Sequence, residues 1–280
     1  MRNLSTLAWR VYDAPTKPWH GVVADTEGDD SVYVMRVERR DGVSQLTLAH
    51  ITPTGTEELA VLEVASAPPH VPDVADFRLL ADGGSSVNHM PAICVIGSGG
   101  DIVLMPVDEE ASAPAEVVGS VDQGILAAAW SPEEDVLVLI TGGEKRLIVM
   151  TREFEVMSET MLSTEAFGDD QPVNVGWGSK STQFHGSEGK QAAMAAANAP
   201  EESDPRGPLV PEDDGLPRIS WRGDGAFFVT SSAEASHDTV HRILRTYTRT
   251  GTLSATSDRS VRGISHVLAC RPTGNLIATT

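Results

Sequence analysis

The stretch Ala129-Trp130-Ser131-Pro132-Glu133-Glu134-Asp135-Val136-Leu137-Val138 decides the fold, because the chain repeats it. The second copy is Ser220-Trp221-Arg222-Gly223-Asp224-Gly225-Ala226-Phe227-Phe228-Val229. The third is Ala269-Cys270-Arg271-Pro272-Thr273-Gly274-Asn275-Leu276-Ile277-Ala278. Each copy has a head residue of the buried type, a tight turn built on Pro or Gly, and then an apolar strand. Trp177 reads as the head of a further copy. Trp130, Trp177, Trp221 and Cys270 then stand 47, 44 and 49 residues apart. That period is close to the roughly 40–50 residues of one four-stranded propeller blade. A single twisted four-stranded sheet cannot bury both faces, and packing such sheets side by side does so. The recurrent Trp residues read as core packing between blades rather than a platform for stacking bases. No Trp-Asp dipeptide closes any copy.

Working outward, strand signals dominate and helical periodicity is nearly absent. Four short strands are expected over Gly21–Ala24, Ser31–Val37, Gln45–Ile51 and Glu58–Val64, with Asp41-Gly42 as a hairpin turn. A second set covers Val74–Leu80, Ala92–Ile96, Asp101–Met105 and Ala115–Val118. A third covers Ile125–Trp130, Val136–Thr141, Arg146–Thr151 and Glu155–Thr160. Between Val173 and Pro217 only Val173–Gly178 and Thr182–Gly186 look strand-like. This stretch is either a degenerate fourth blade or a hairpin inserted between blades, and the degenerate blade is favoured. Residues 191–217 carry five prolines and six acidic residues against one basic. Too little there can be buried to offset the entropy of ordering, so the segment is expected to be a disordered acidic loop. The fold class is therefore all-β, a WD-repeat-like β-propeller. It is expected to be incomplete, about five and a half of seven blades. Its sixth blade stops after Ile277–Thr280, and Leu4–Val11 looks like a closing strand without its partner blade. The expectation is a piece of a longer protein, one truncated propeller over residues 1–280.

Composition narrows the function. The 280 residues carry 21 Lys+Arg against 40 Asp+Glu, a net charge of −19. Gripping a nucleic-acid backbone needs clustered cations, and docking on anionic lipid needs a basic patch, so this chain alone is expected to do neither. Two cysteines far apart give no disulfide framework and no zinc spacing. Apolar runs stop at six residues, too short for a membrane-spanning helix, and Met1–Ser5 carries no signal-peptide pattern. A reducing, intracellular setting is expected.

Chemistry is thin. His185 beside Ser187 does not make a nucleophile elbow, which needs Gly two residues before the Ser. Gly97-Ser98-Gly99-Gly100-Asp101 reads as a hairpin turn, because no helix follows to cradle a phosphate. Gly189-Lys190-Gln191 lacks the Ser or Thr of a P-loop. Asp25–Asp30 lacks the ligand spacing of a calcium loop, and the eight histidines show no paired metal spacing. No catalytic, cofactor or metal residue is assigned.

Three stretches carry a resemblance. Val173–Lys190 (VNVGWGSKSTQFHGSEGK), Ile219–Phe228 (ISWRGDGAFF) and Arg271–Ala278 (RPTGNLIA) resemble the Elongator complex protein 1 family, the largest scaffold subunits of the Elongator complex. Gly124–Glu134, Arg146–Thr151 with Phe154, and Met1–Leu4 fit the same family in order and spacing. The Gly-Trp-Gly and Thr-Gln-Phe-His-Gly-Ser elements are its most specific part. The resemblance implies a scaffold in tRNA wobble-uridine C5 modification, whose chemistry belongs to another subunit. It also implies two propellers followed by a helical solenoid that dimerises, and a basic tRNA-contacting segment near the far end. This chain would supply most of the first propeller, without the dimerisation region or direct nucleic-acid contact. Its partners would be other Elongator subunits, and its location the cytoplasm and also the nucleus. Gln183, Phe184, His185, Gly186 and Ser187 read as a structural turn and are the candidate partner-contact loop. Two competing readings are a generic propeller interaction module and a propeller enzyme. The latter needs converging carboxylates or a triad that the sequence lacks.

Overall fold

The computed structural model describes residues 19–24, 31–52, 54–80, 91–107, 114–162, 208–236, 239–257, 264 and 267–279. Leu4–Val11, Trp177 and the 183–187 loop lie outside them. The described residues form eighteen strands and fall into two compact units, Met1–Ile125 and Leu126–Thr280, each taken by itself below.

In the first unit, β1 (Trp19–Ala24), β2 (Val32–Arg40), β3 (Val43–Ile51) and β4 (Thr56–Ala65) form one antiparallel meander. Arg40 pairs Val43 across a two-residue loop. Asp41 and Gly42 there have φ of 50° and 85°, the left-handed pair that lets a tight hairpin follow the strand twist. The second sheet runs β5 (Val74–Leu80), β6 (Ala92–Gly97), β7 (Asp101–Pro106) and β8 (Glu116–Ser120). Middle strands are apolar on both faces, and β6 is buried from end to end. Outer strands β4 and β8 are largely exposed. Met35, Leu46 and Leu48 of the first sheet join Ile93, Val95, Val103 and Met105 of the second in one core. The Gly97–Asp101 turn needs its glycines. A Cβ on Gly99 would stand 2.0 Å from the Ala65 carbonyl oxygen, and Gly100 has φ of +120°. Beside it the Asp101 carboxylate accepts from the Ala65 N–H at 2.8 Å and from the Ser120 hydroxyl at 3.1 Å.

In the second unit, β9 (Ile125–Trp130), β10 (Val136–Thr141), β11 (Arg146–Thr151) and β12 (Val156–Met161) make the third meander. β13 (Arg218–Trp221), β14 (Phe227–Ser236), β15 (Thr239–Thr248) and β16 (Leu253–Thr256) make the fourth. β17 (Leu268–Cys270) and β18 (Ile277–Thr279) form a hairpin. The repeated sequence gives a repeated turn. The N–H of Ser131, Arg222 and Arg271, each one after the head residue, donates to the carbonyl of Val136, Phe227 and Leu276 respectively, at 2.8, 3.1 and 2.9 Å. The residue four after each head, Glu134, Gly225 or Gly274, has a left-handed φ of 58°, 66° or 96°.

Two expectations change here. The fourth sheet packs directly on the third. The Trp221 indole N–H donates to the Ala129 carbonyl at 3.2 Å, and the Ser158 hydroxyl donates to the Thr250 carbonyl at 2.8 Å. A blade at Val173–Pro217 is therefore not interposed between Trp130 and Trp221. The described residues make four four-stranded sheets and a hairpin. The 47- and 44-residue steps measured chain length, not neighbouring sheets. Second, only 191–207 of the supposed disordered loop lie outside the described residues. Residues 208–217 are fixed on the β14–β15 hairpin. The Leu209 N–H donates to Val240 O at 2.9 Å, and Asp213 pairs with Arg242. Composition counted Asp213 as a solvated charge, but a buried guanidinium holds it.

Candidate functional site

The recurrent head residues Trp130, Trp221 and Cys270 build the seams of the second unit. Trp130 is buried and meets Phe154 edge-on at 5.9 Å. Trp221 reaches back to the residue before Trp130. Its ring lies 4.9 Å from Phe228, which stacks on Tyr247 at 5.4 Å. Cys270 repeats the step one sheet later. Its N–H donates to the Ser220 hydroxyl at 3.0 Å, and its thiol to the Ser220 carbonyl at 3.4 Å. Trp221 and Cys270 are thus each tied to the residue preceding the head of the sheet before it. Burial pushes the Cys270 thiol and the Tyr247 phenol above their usual pKa, so neither is an activated nucleophile.

The turns of the repeat form a charged row. Arg249 pairs with Asp135 and donates to the Gly225 carbonyl at 3.1 Å, joining the first turn to the second. The Ser131 hydroxyl orients Asp135 with a 2.6 Å bond to Oδ1. Arg222 clamps Asp224 with two bonds, donates to Asn275 Oδ1 at 2.5 Å, and so joins the second turn to the third. The same guanidinium lies 4.7 Å over the Phe227 ring. Its hydrogen bonds to Asp224 hold that carboxylate down at about 2. In the first unit, burial raises Asp76 on β5 from 3.8 to about 6, against a backbone hydrogen bond and Arg78, which both lower it.

Sequence reading missed a second cluster. Ser231, Ser232, His241, Arg242 and Arg245 on β14 and β15 are buried. Arg245 pairs with Glu234, and Arg242 with Asp213. Charged residues in a strand ordinarily signal its solvent face, so only the position of the 208–217 segment reveals this burial.

These groups bind one another rather than converge on an open cleft. Among the described residues no group of three or more His, Cys, Asp or Glu is placed to hold a metal. The site the geometry builds is a rigid surface of turns and sheet edges. The most exposed outer strand is β12, with Val156, Met157 and Met161 on it.

Serial four-stranded meanders, with head residues Trp221 and Cys270 locking neighbouring sheets in the second unit, are the pattern of the WD-type β-propeller class. The family model described as "ELP1 first N-terminal beta-propeller" matches residues 1–280. The chain belongs to that family, the first propeller of Elongator complex protein 1. Mouse Elongator complex protein 1 is 33% identical over 291 residues, covering 100% of this chain and 19% of the relative. The Drosophila melanogaster protein is 40% identical over 190 residues, covering 67% of this chain and 14% of the relative. The Schizosaccharomyces pombe protein is 37% identical over 190 residues, covering 67% and 15%. The chain thus spans about a fifth or less of the curated relatives it matches. Among solved structures, Chaetomium thermophilum Sqt1 bound to the N-terminus of ribosomal protein L10 aligns with TM-score 0.47 and 15% identity, over 88% of this chain and 52% of that one. That likeness is too slight to add to the family match.

Proposed function

We propose that this chain is a non-catalytic propeller module of an Elongator scaffold subunit, supporting tRNA wobble-uridine C5 modification through protein–protein contacts. The family match along residues 1–280 carries the reading. The packing agrees with it: side chains of the described sheets serve to lock neighbouring sheets together, and the chain offers a large acidic surface at a net charge of −19. An acidic module of this kind favours protein partners over direct contact with tRNA. The partners are the other Elongator subunits, and the working location is the cytoplasm. The 183–187 loop, outside the described residues, is the proposed contact element.

Affinity capture tests the proposal. The protein that contains this chain is tagged in its own cells, and co-purifying proteins are identified. Recovery of the remaining Elongator subunits is expected. Recovery of none of them overturns the reading.

A further inference from the structure

Residues 208–217 cross the β14–β15 hairpin as a strap, and one buried cation holds them there. Arg242 exposes none of its side chain. Its Nε–H donates to Asp213 Oδ2 at 2.5 Å and its Nη2–H to Asp213 Oδ1 at 2.6 Å, a two-pronged match of guanidinium to carboxylate. Nη2–H also donates to the Leu216 carbonyl at 3.0 Å, and Nη1–H to the Ser231 hydroxyl at 3.3 Å. Asp214 adds a weaker approach at 3.6 Å. Both carboxylates come from the strap. Among the described residues of the hairpin, the carboxylate is Glu234, which is engaged by Arg245.

The described residues of the hairpin therefore enclose a guanidinium whose carboxylate partners, Asp213 and Asp214, both come from the strap. A buried cation left alone is strongly unfavourable, so its seat demands an oxyanion. Elsewhere on the strap Pro208, Pro211 and Glu212 are exposed and Pro217 is buried, and its further bonds include the Leu209–Val240 backbone bond and an Asp214–Arg218 pair at 2.5 Å. We propose that the Nε–Nη2 edge of Arg242, whose Nη1 is held by Ser231, forms an oxyanion seat on the hairpin, and that the 208–217 strap is its tethered, exchangeable occupant. The tether gives Asp213 a high local concentration, which keeps the seat closed to dilute free anions. When Asp213 is lost or displaced, a carboxylate or phosphate group takes the same two nitrogens. The strap then lifts from β15 while the sheet remains.

Three forms of the full chain test this: native, Asp213→Ala, and Asp213→Ala with Arg242→Met. Hydrogen exchange follows the amides of Leu209, Asp213 and Gly215 against those of Thr230 and Ile243. Thermal unfolding is measured in inorganic phosphate, in acetate and in chloride at matched ionic strength. In Asp213→Ala the strap amides are expected to lose protection about tenfold or more while β14 and β15 hold. Phosphate or acetate should raise its Tm above the chloride value, and leave the native and double variants unmoved. A response to phosphate alone assigns the seat to tetrahedral anions, and a response to both assigns it to oxyanions generally. An anion response equal in all three forms, or none in Asp213→Ala, overturns the seat. A strap that stays protected in Asp213→Ala overturns the exchange. Should Asp213→Ala not fold, Asp213→Asn, which removes the charge and keeps the shape, is read by the same criteria.

Discussion

Replacing Trp221 by alanine removes the largest side chain from the seam between the β9–β12 and β13–β16 sheets. Three contributions are lost. The mostly buried indole hides on the order of 120–150 Å² of apolar surface, roughly 3–4 kcal/mol at about 25 cal/mol per Å². The tilted contact with Phe228 at 4.9 Å adds about 0.5–1 kcal/mol. The indole N–H bond to the Ala129 carbonyl at 3.2 Å adds about 1 kcal/mol. Partial collapse of the seam offsets some of this, so the expected cost is about 4 kcal/mol, within the range for large aromatic deletions. Trp221→Phe keeps the ring contact and loses the hydrogen bond and part of the area, for about 1–2 kcal/mol. Urea denaturation followed by far-ultraviolet circular dichroism gives both numbers, with the m-value as a check that the same surface unfolds. Domains are stable by only about 5–15 kcal/mol, so the alanine variant should keep roughly 1–11 kcal/mol and unfold at a clearly lower urea concentration. A cost below about 0.5 kcal/mol, typical of a surface position, would refute the direct packing of these two sheets.

Other predictions follow from particular contacts. Gly251→Ala would place a Cβ 2.5 Å from Ser158 Oγ and 2.8 Å from Val149 Cγ2 at φ of +84°, so it should cost about 2–4 kcal/mol in the same denaturation assay. Asp76 has a folded pKa of about 6 against 3.8 when unfolded, so its protonated form favours the fold. That contribution is full below pH 3.8 and is lost as pH rises through about 6. Asp76→Asn should therefore match the native protein near pH 4 and exceed it above pH 7, by as much as about 3 kcal/mol. Asp224, held at about 2 by Arg222, has the opposite sign. Its contribution is present above 3.8 and fades as pH falls through about 2, and Asp224→Asn should remove that acid-side dependence from thermal unfolding.

Much of the sheet structure is legible in the sequence, because blade strands announce themselves locally. The bounds of β5, β9, β10 and β11 follow directly from apolar runs closed by turn residues. Asp41-Gly42 fixes the register of the β2–β3 hairpin, and the head-plus-turn template places β13–β14 and β17–β18. The place of Trp177, outside the described residues, rests on spacing alone, whereas the Trp221–Ala129 bond shows which of the described sheets touch. The strap was missed for a related reason. Its prolines and carboxylates satisfy every compositional sign of disorder, and Asp213 is ordered by Arg242, a partner in another strand. No local window contains both residues. The family, by contrast, was legible from short motifs, including Ile219–Phe228 and Arg271–Ala278 around two of the recurring turns.

We propose that this chain works as part of Elongator in wobble-uridine modification. The most direct measurement is the C5-modified wobble uridine content of tRNA, by mass spectrometry of nucleosides. It compares cells carrying the intact gene with cells whose encoded protein lacks a folded first propeller through Trp221→Ala combined with Gly251→Ala. The modified nucleosides are expected to fall sharply in the variant and to recover when the native chain is restored. Unchanged modification in cells where the variant protein has lost its propeller fold would contradict it.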